Sequence, residues 1–149
     1  MSRRPADLSL DELAAAARAV ATRYTLDLVV LFGSTARRDP ALVPEDLDVA
    51  VRAPAGAPVP DVGLIAHAFA ATLDTPDVDV VDLRRADPLL LMLVARDGVP
   101  LHQAEPSTFA EFWSLAHRRY WDAAMFRDAE RETIRDFVRA RAPAHGDAS

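Results

Sequence analysis

The chain has 149 residues, half of them hydrophobic, and a formal charge of −6 at pH 7, which is enough for one domain with a single core and no covalent staples. The absence of cysteine excludes disulfide frameworks, Cys-rich zinc sites and thiol nucleophiles, and the acidic balance speaks against general nucleic-acid binding, which needs a basic face. No run approaches the roughly 20 apolar residues that span a bilayer, and the Met1-Ser2-Arg3-Arg4-Pro5 start lacks the apolar segment of a secretory signal, so no membrane association and a cytoplasmic location are expected.

Ser9 followed by Glu12 reads as a capping box, and Leu10, Leu13, Ala17 and Val20 then fall at helical spacing, predicting a first helix from Ser9 to about Arg23. Leu26 to Phe32 is short, apolar and partly β-branched, and it stops at Gly33: a buried strand entering a sharp turn. Asp46 to Val51 alternates carboxylates with apolar residues and reads as a second strand. The proline-rich stretch Ala53 to Pro60 is a loop. Leu64, Ile65, Ala68, Phe69 and Leu73 define a helix over Val62 to Leu73, ended by Thr75-Pro76. A third strand follows at Asp77 to Leu83. Pro88 opens a short buried helix through Leu89 to Val94, stopped at Asp97-Gly98, and Val99 to His102 adds an edge strand.

From Ser107 to about Arg141 no proline or glycine interrupts, and Phe109, Phe112, Trp113, Ala116 and Tyr120 keep helical spacing, so a long C-terminal helix is expected. Arginines and acids interleave from Arg127 to Arg141, the pattern of a solvated or interacting face. Trp121, Met125 and Phe126 fall off the main apolar stripe. They fit either a wide core face on a helix wrapped against the domain or exposed anchors for a partner. The expected division is residues 1–104 as the domain proper, 105–142 as the helix packed on it and offering a partner surface, and 143–149 as a flexible tail.

Chemistry concentrates in Leu31-Phe32-Gly33-Ser34-Thr35-Ala36-Arg37 and Asp46-Leu47-Asp48. On a strand, residues two apart share a face, and two carboxylates held that close repel unless a cation joins them or one is protonated. Magnesium, with its preference for oxygen ligands and its habit of keeping substrate phosphate in its shell, meets that demand. The pair by itself also fits the solvated side of an edge strand. Gly33 lets backbone approach a ligand, the following amide and the Ser34 hydroxyl can donate to phosphate, and Arg37, one helical turn on, can clamp it. Taken alone, Gly33-Ser34 also fits a plain tight turn.

Asp79, mid-strand and flanked by valine, is a third candidate ligand and a proton acceptor, or else a strand-edge acid; Asp77 shares its face and Asp82 lies on the other. No Gly-x-Ser-x-Gly surrounds Ser34, so no hydrolase elbow is present. With no lysine in the chain, Schiff-base and Walker-type chemistry are excluded. His67, His102, His117 and His145 show no close pair at metal-ligand spacing, and Tyr120 reads as a core tyrosine with a wet hydroxyl.

At these residues the sequence resembles the nucleotidyltransferase superfamily, most closely its minimal nucleotidyltransferase (MNT) branch: Gly-Ser, about ten residues, Asp-x-Asp, then a single Asp on a later strand, here Asp79-Val80-Val81-Asp82-Leu83. The match covers residues 8–103. Two departures are eleven residues between Ser34 and Asp46 and Arg38 where the branch often has glycine; both fall in the connecting loop.

The resemblance implies a mixed α/β (α+β) fold with a small central sheet flanked by helices. It implies a nucleotidyl transfer in which two magnesium ions align an acceptor hydroxyl with the α-phosphate of ATP. Asp46, Asp48 and Asp79 would be metal ligands and catalytic acids, Asp79 would activate the hydroxyl, and Gly33, Ser34 and Arg37 would bind the nucleotide phosphates. Stand-alone chains of this length are similar to antitoxins of toxin–antitoxin pairs whose partner is a HEPN-family ribonuclease, so AMP transfer to a tyrosine of that toxin and a hetero-oligomer with it are implied. Two other functions stay open: a non-catalytic antitoxin acting by binding alone, and nucleotidyl transfer to a small-molecule hydroxyl such as an aminoglycoside.

Overall fold

A computed structural model describes residues 2–37 and 46–141. The eleven-residue spacing, Arg38, His145 and the 143–149 tail therefore fall wholly or largely outside the described residues. After a 3-10 turn at Pro5–Asp7, helix α1 spans Leu10–Tyr24. Its start is the anticipated capping box: Ser9 Oγ accepts the Glu12 N–H at 3.1 Å while the Glu12 carboxylate accepts the Ser9 N–H at 2.9 Å, satisfying two orphan donors reciprocally. Leu13, Ala16, Ala17, Val20 and Ala21 form its buried face. The helix ends with Thr25 in the left-handed region, and Leu26 still donates to Ala21 O, so strand β1 begins at Leu28 and runs to Phe32.

Strands β2 (Leu47–Arg52), β3 (Val78–Asp82) and β4 (Val99–Gln103) complete one four-stranded sheet in the order β3-β2-β1-β4. β1 lies antiparallel to both β2 and β4, whereas β2 and β3 are parallel. The parallel pair needs a crossover, supplied by helix α3, Val62–Leu73, which is N-capped by Asp61. Between Gly33 and Arg37 the chain makes a short helix, α2. Helix α4 covers Pro88–Asp97, with the Asp87 side chain accepting the Leu90 N–H at 2.8 Å.

The pleat sorts the strand residues into two cores. Val29, Leu31, Leu47, Val49 and Val51 pack with α1 and α3 on one face. Leu28, Val30 and Ala50 pack with α4 and the start of helix α5, Thr108–Arg141, on the other. The mixed α/β class is thus realised as expected, and the loop from 53 to 60 carries no regular element.

Two expectations are corrected. α4 is not a wholly buried helix: Leu91, Val94 and Ala95 are buried, but Leu89 is 57% exposed, because only one side of the helix meets the sheet and α5. Nor do Trp121, Met125 and Phe126 form a wide core face. Burial along α5 stops at Ala116, and these three are 61%, 69% and 64% exposed, since the helix runs on past the edge of the domain. The aromatic stripe is likewise divided, with Phe112 buried, Phe109 and Tyr120 half-buried, and Trp113 exposed with its ring stacked on His117. Among the described residues no helix is long and apolar enough to cross a membrane.

Candidate active site

β1 delivers the chain into α2 through Gly33, whose φ of +74° lies in the left-handed region that an L side chain rarely adopts. A second constraint acts at the same residue: a Cβ there would collide with the Asp48 carboxylate. Glycine is required at this position twice over. Ser34 is half-buried in the single turn of helix that follows. Arg37 is exposed; the Asp97 carboxyl at the end of α4 is lowered first by its hydrogen bond to Arg96 and, least, by the charge of Arg37.

Register settles where the acids stand. Phe32 is opposite Asp48, and Asp48 is opposite Asp79. Neighbouring strands are about 4.8 Å apart, so Asp48 and Asp79 are side by side on the α4/α5 face of the sheet. Asp46 lies just ahead of β2, where its carbonyl accepts the hydroxyl of the buried Thr35 at 3.1 Å. That bond ties the approach to β2 directly to the Gly33-Ser34 turn. A neighbouring tie, Leu47 N–H to Asp77 O at 2.8 Å, joins the starts of β2 and β3.

Asp48 is half-buried, while Asp46 and Asp79 are exposed. Burial first, then the negative charges of Asp79 and Asp46, push the Asp48 carboxyl above its ordinary range. The three acids therefore share one electrostatic neighbourhood, and ionising the middle one is disfavoured. Among the described residues no three His, Asp or Glu side chains are gathered closely enough to hold a metal ion. The donor chemistry itself fits a divalent cation of the magnesium type: hard carboxylate oxygens, one of them held in a field that a positive charge would relieve.

Asp77 precedes β3 and is exposed. Asp82, on the opposite face from Asp79, is buried and accepts the Arg84 backbone N–H at 3.0 Å, a turn-forming role. Sequence reasoning did not single out Thr35, since a buried threonine and a surface one look alike in spacing. Nor did it find Arg52, whose guanidinium binds Asp27 through two hydrogen bonds of 3.0 and 2.9 Å.

No family model matches the sequence, and no curated protein matches it. Solved structures do. A toxin–antitoxin complex with AMP-PNP matches at 26% identity and a TM-score of 0.62, over 88% of this chain and 98% of that one. An MntA–HpeT toxin–antitoxin complex bearing a tyrosine-to-alanine substitution matches at 27% identity and 0.62, over 89% and 98%. A tri-AMPylated Shewanella oneidensis HEPN toxin in complex with its MNT antitoxin matches at 25% and 0.60, over 87% and 98%. In fold the chain is thus similar to proteins of the nucleotidyltransferase class. Within that class it has the architecture of the minimal nucleotidyltransferase antitoxins.

Proposed function

We propose that this protein is a magnesium-dependent nucleotidyltransferase antitoxin that transfers AMP from ATP to a tyrosine hydroxyl of a cognate HEPN-family ribonuclease, in a hetero-oligomer with it. The observation that carries the reading is the pairing of Asp48 with Asp79 beside the Gly33 turn. It is supported by the match to complexes that contain AMP-PNP or an AMPylated toxin.

In this scheme Gly33 and Ser34 bind the phosphates that depart, with Arg37 as an additional charged partner, and Asp46, Asp48 and Asp79 are the residues that would hold magnesium. The ions, when bound, neutralise phosphate charge and orient the acceptor for in-line displacement. Asp79 accepts the proton of the attacking hydroxyl. A bond forms between that oxygen and the α-phosphorus, the bond from the α-phosphorus to the bridging oxygen breaks, and pyrophosphate leaves. Thr35 acts through position, holding Asp46 near the turn.

The test is incubation of the purified protein with a HEPN partner, ATP labelled in the α-phosphate, and magnesium. Label on the partner is expected, and the double replacement Asp46→Asn with Asp48→Asn should reduce it on the order of a thousandfold, the scale of several kcal/mol of lost transition-state stabilisation. A stable complex without label would instead establish inhibition by binding alone. Label on an added aminoglycoside and none on the partner would establish the small-molecule reading.

A further inference from the structure

β2 carries charge at both ends of one face. Asp48 stands near its start and Arg52 at its end, four residues or about 13 Å along a strand. Around Arg52 the structure encloses a pocket of about 80 Å³ that is also lined by Arg84 from the turn after β3 and Arg119 from α5, over a floor that includes Leu91, Phe112 and Leu115. In a protein with a net charge of −6, three arginines lining one small pocket run against the overall balance.

Two of them are held in place from behind. Asp27 binds Arg52 through Nε and one terminal nitrogen, leaving Nη1. Arg84 donates through Nε to Ala53 O at 2.8 Å, which leaves both of its terminal amino groups. Neither Arg84 nor Arg119 belongs to an ion pair among the described residues. Asp27 is the one carboxylate within ion-pair distance of the trio among the described residues.

We infer that this pocket is a binding site for a small phosphoryl-bearing anion, separate from the acidic site on the same face of the sheet. A tetrahedral oxyanion with about two negative charges suits a pocket lined by arginines from β2, the turn after β3 and α5. A lone carboxylate, planar and singly charged, is served by a single arginine fork. The pocket has room for several waters' worth of ligand, which suits a phosphoryl group with its substituent directed outward. The inference stands whether or not the acids transfer nucleotides.

Inorganic pyrophosphate is the probe, titrated calorimetrically into the full chain at fixed ionic strength with a chelator present, so that no divalent cation can recruit it to the acids. Saturable binding is expected, weakened at least tenfold in the Arg84→Gln/Arg119→Gln double variant, which leaves the structural Asp27–Arg52 pair intact. Circular dichroism checks that this variant is folded. The Asp46→Asn/Asp48→Asn variant should bind as the parent does, which separates this site from the proposed catalytic one. Absent binding, equal binding by the arginine variant, or equally tight binding of succinate under the same conditions would each overturn the inference.

Discussion

The two faces of the sheet are used differently. Against α1 and α3 the strands present Val29, Leu31, Leu47, Val49 and Val51, all fully buried, and the helices return Leu13, Ile65 and Phe69. Against α4 and α5 fewer strand residues are fully buried, Leu28, Val30 and Ala50, with Phe32 and Val81 half-buried around them, and on β2 Ala50 alone is apolar on this face. The two ends of β2 on this face carry Asp48, beside Asp79, and Arg52, which lines a pocket with Arg84 and Arg119. One face is thus optimised for burial. The other gives up burial at both ends of β2, where charged residues stand.

The contrast can be broken most severely from the closed face. Phe69→Ala removes a fully buried ring from the larger core and should cost about 3–5 kcal/mol in urea unfolding. A loss below about 1 kcal/mol would mean that this face is not the stability reservoir described here.

A smaller effect is expected at the junction of the two. Gly33→Ala must place a side chain at φ +74° against the Asp48 carboxylate, a strain of about 1–3 kcal/mol. Because the displaced group is a candidate ligand, nucleotidyl transfer should fall along with stability, and the ratio of the two losses can be read from single-turnover rates beside unfolding curves. An alanine variant with unchanged rate and melting temperature would remove the close approach from the argument.

The smallest effect sharpens the comparison through pH. A folded-state carboxyl pKa raised above its unfolded value contributes stability that is fully present below the unfolded pKa and is lost as pH rises through the folded one. Asp48 is such a group. Asp48→Asn should therefore stabilise the protein at neutral pH by a few tenths of a kcal/mol, allowing for solvent screening of a partly exposed group. The advantage should fade as the pH falls through the raised Asp48 range and vanish below the ordinary aspartate range. Magnesium should stabilise the parent more than the variant at pH 7, a difference that melting curves with and without the ion would detect.

Signals spanning a few residues proved sufficient for most of the elements. Ser9 with Glu12 marked the start of α1, Pro88 that of α4, and the periodicity of Ile65, Ala68, Phe69 and Leu73 marked α3. Each acts through the backbone within one or two turns, so no distant partner is needed to read it. β1 was placed two residues early because Leu26, apolar and buried, looks like strand in composition yet its N–H closes the end of α1. The exposed apolar residues of α5 were legible as positions but not as environments. Whether Trp121 and Phe126 are covered depends on how far the domain extends beneath the helix, which their own spacing does not encode.

By itself, then, the sequence determined the order and type of most elements, though not the 3-10 turn at Pro5–Asp7 or helix α2, together with the glycine at the end of β1 and the acids as a pattern of spacing, because caps, periodicity and turn chemistry are local. Only the tertiary structure decided that β3 pairs with β2 in the parallel register that sets Asp79 opposite Asp48, that Thr35 ties Asp46 to the turn, and that arginines from β2, the turn after β3 and α5 line one pocket with Phe112. Strand register and the convergence of remote side chains follow from the packing of both cores at once, a collective balance that no short window of residues contains.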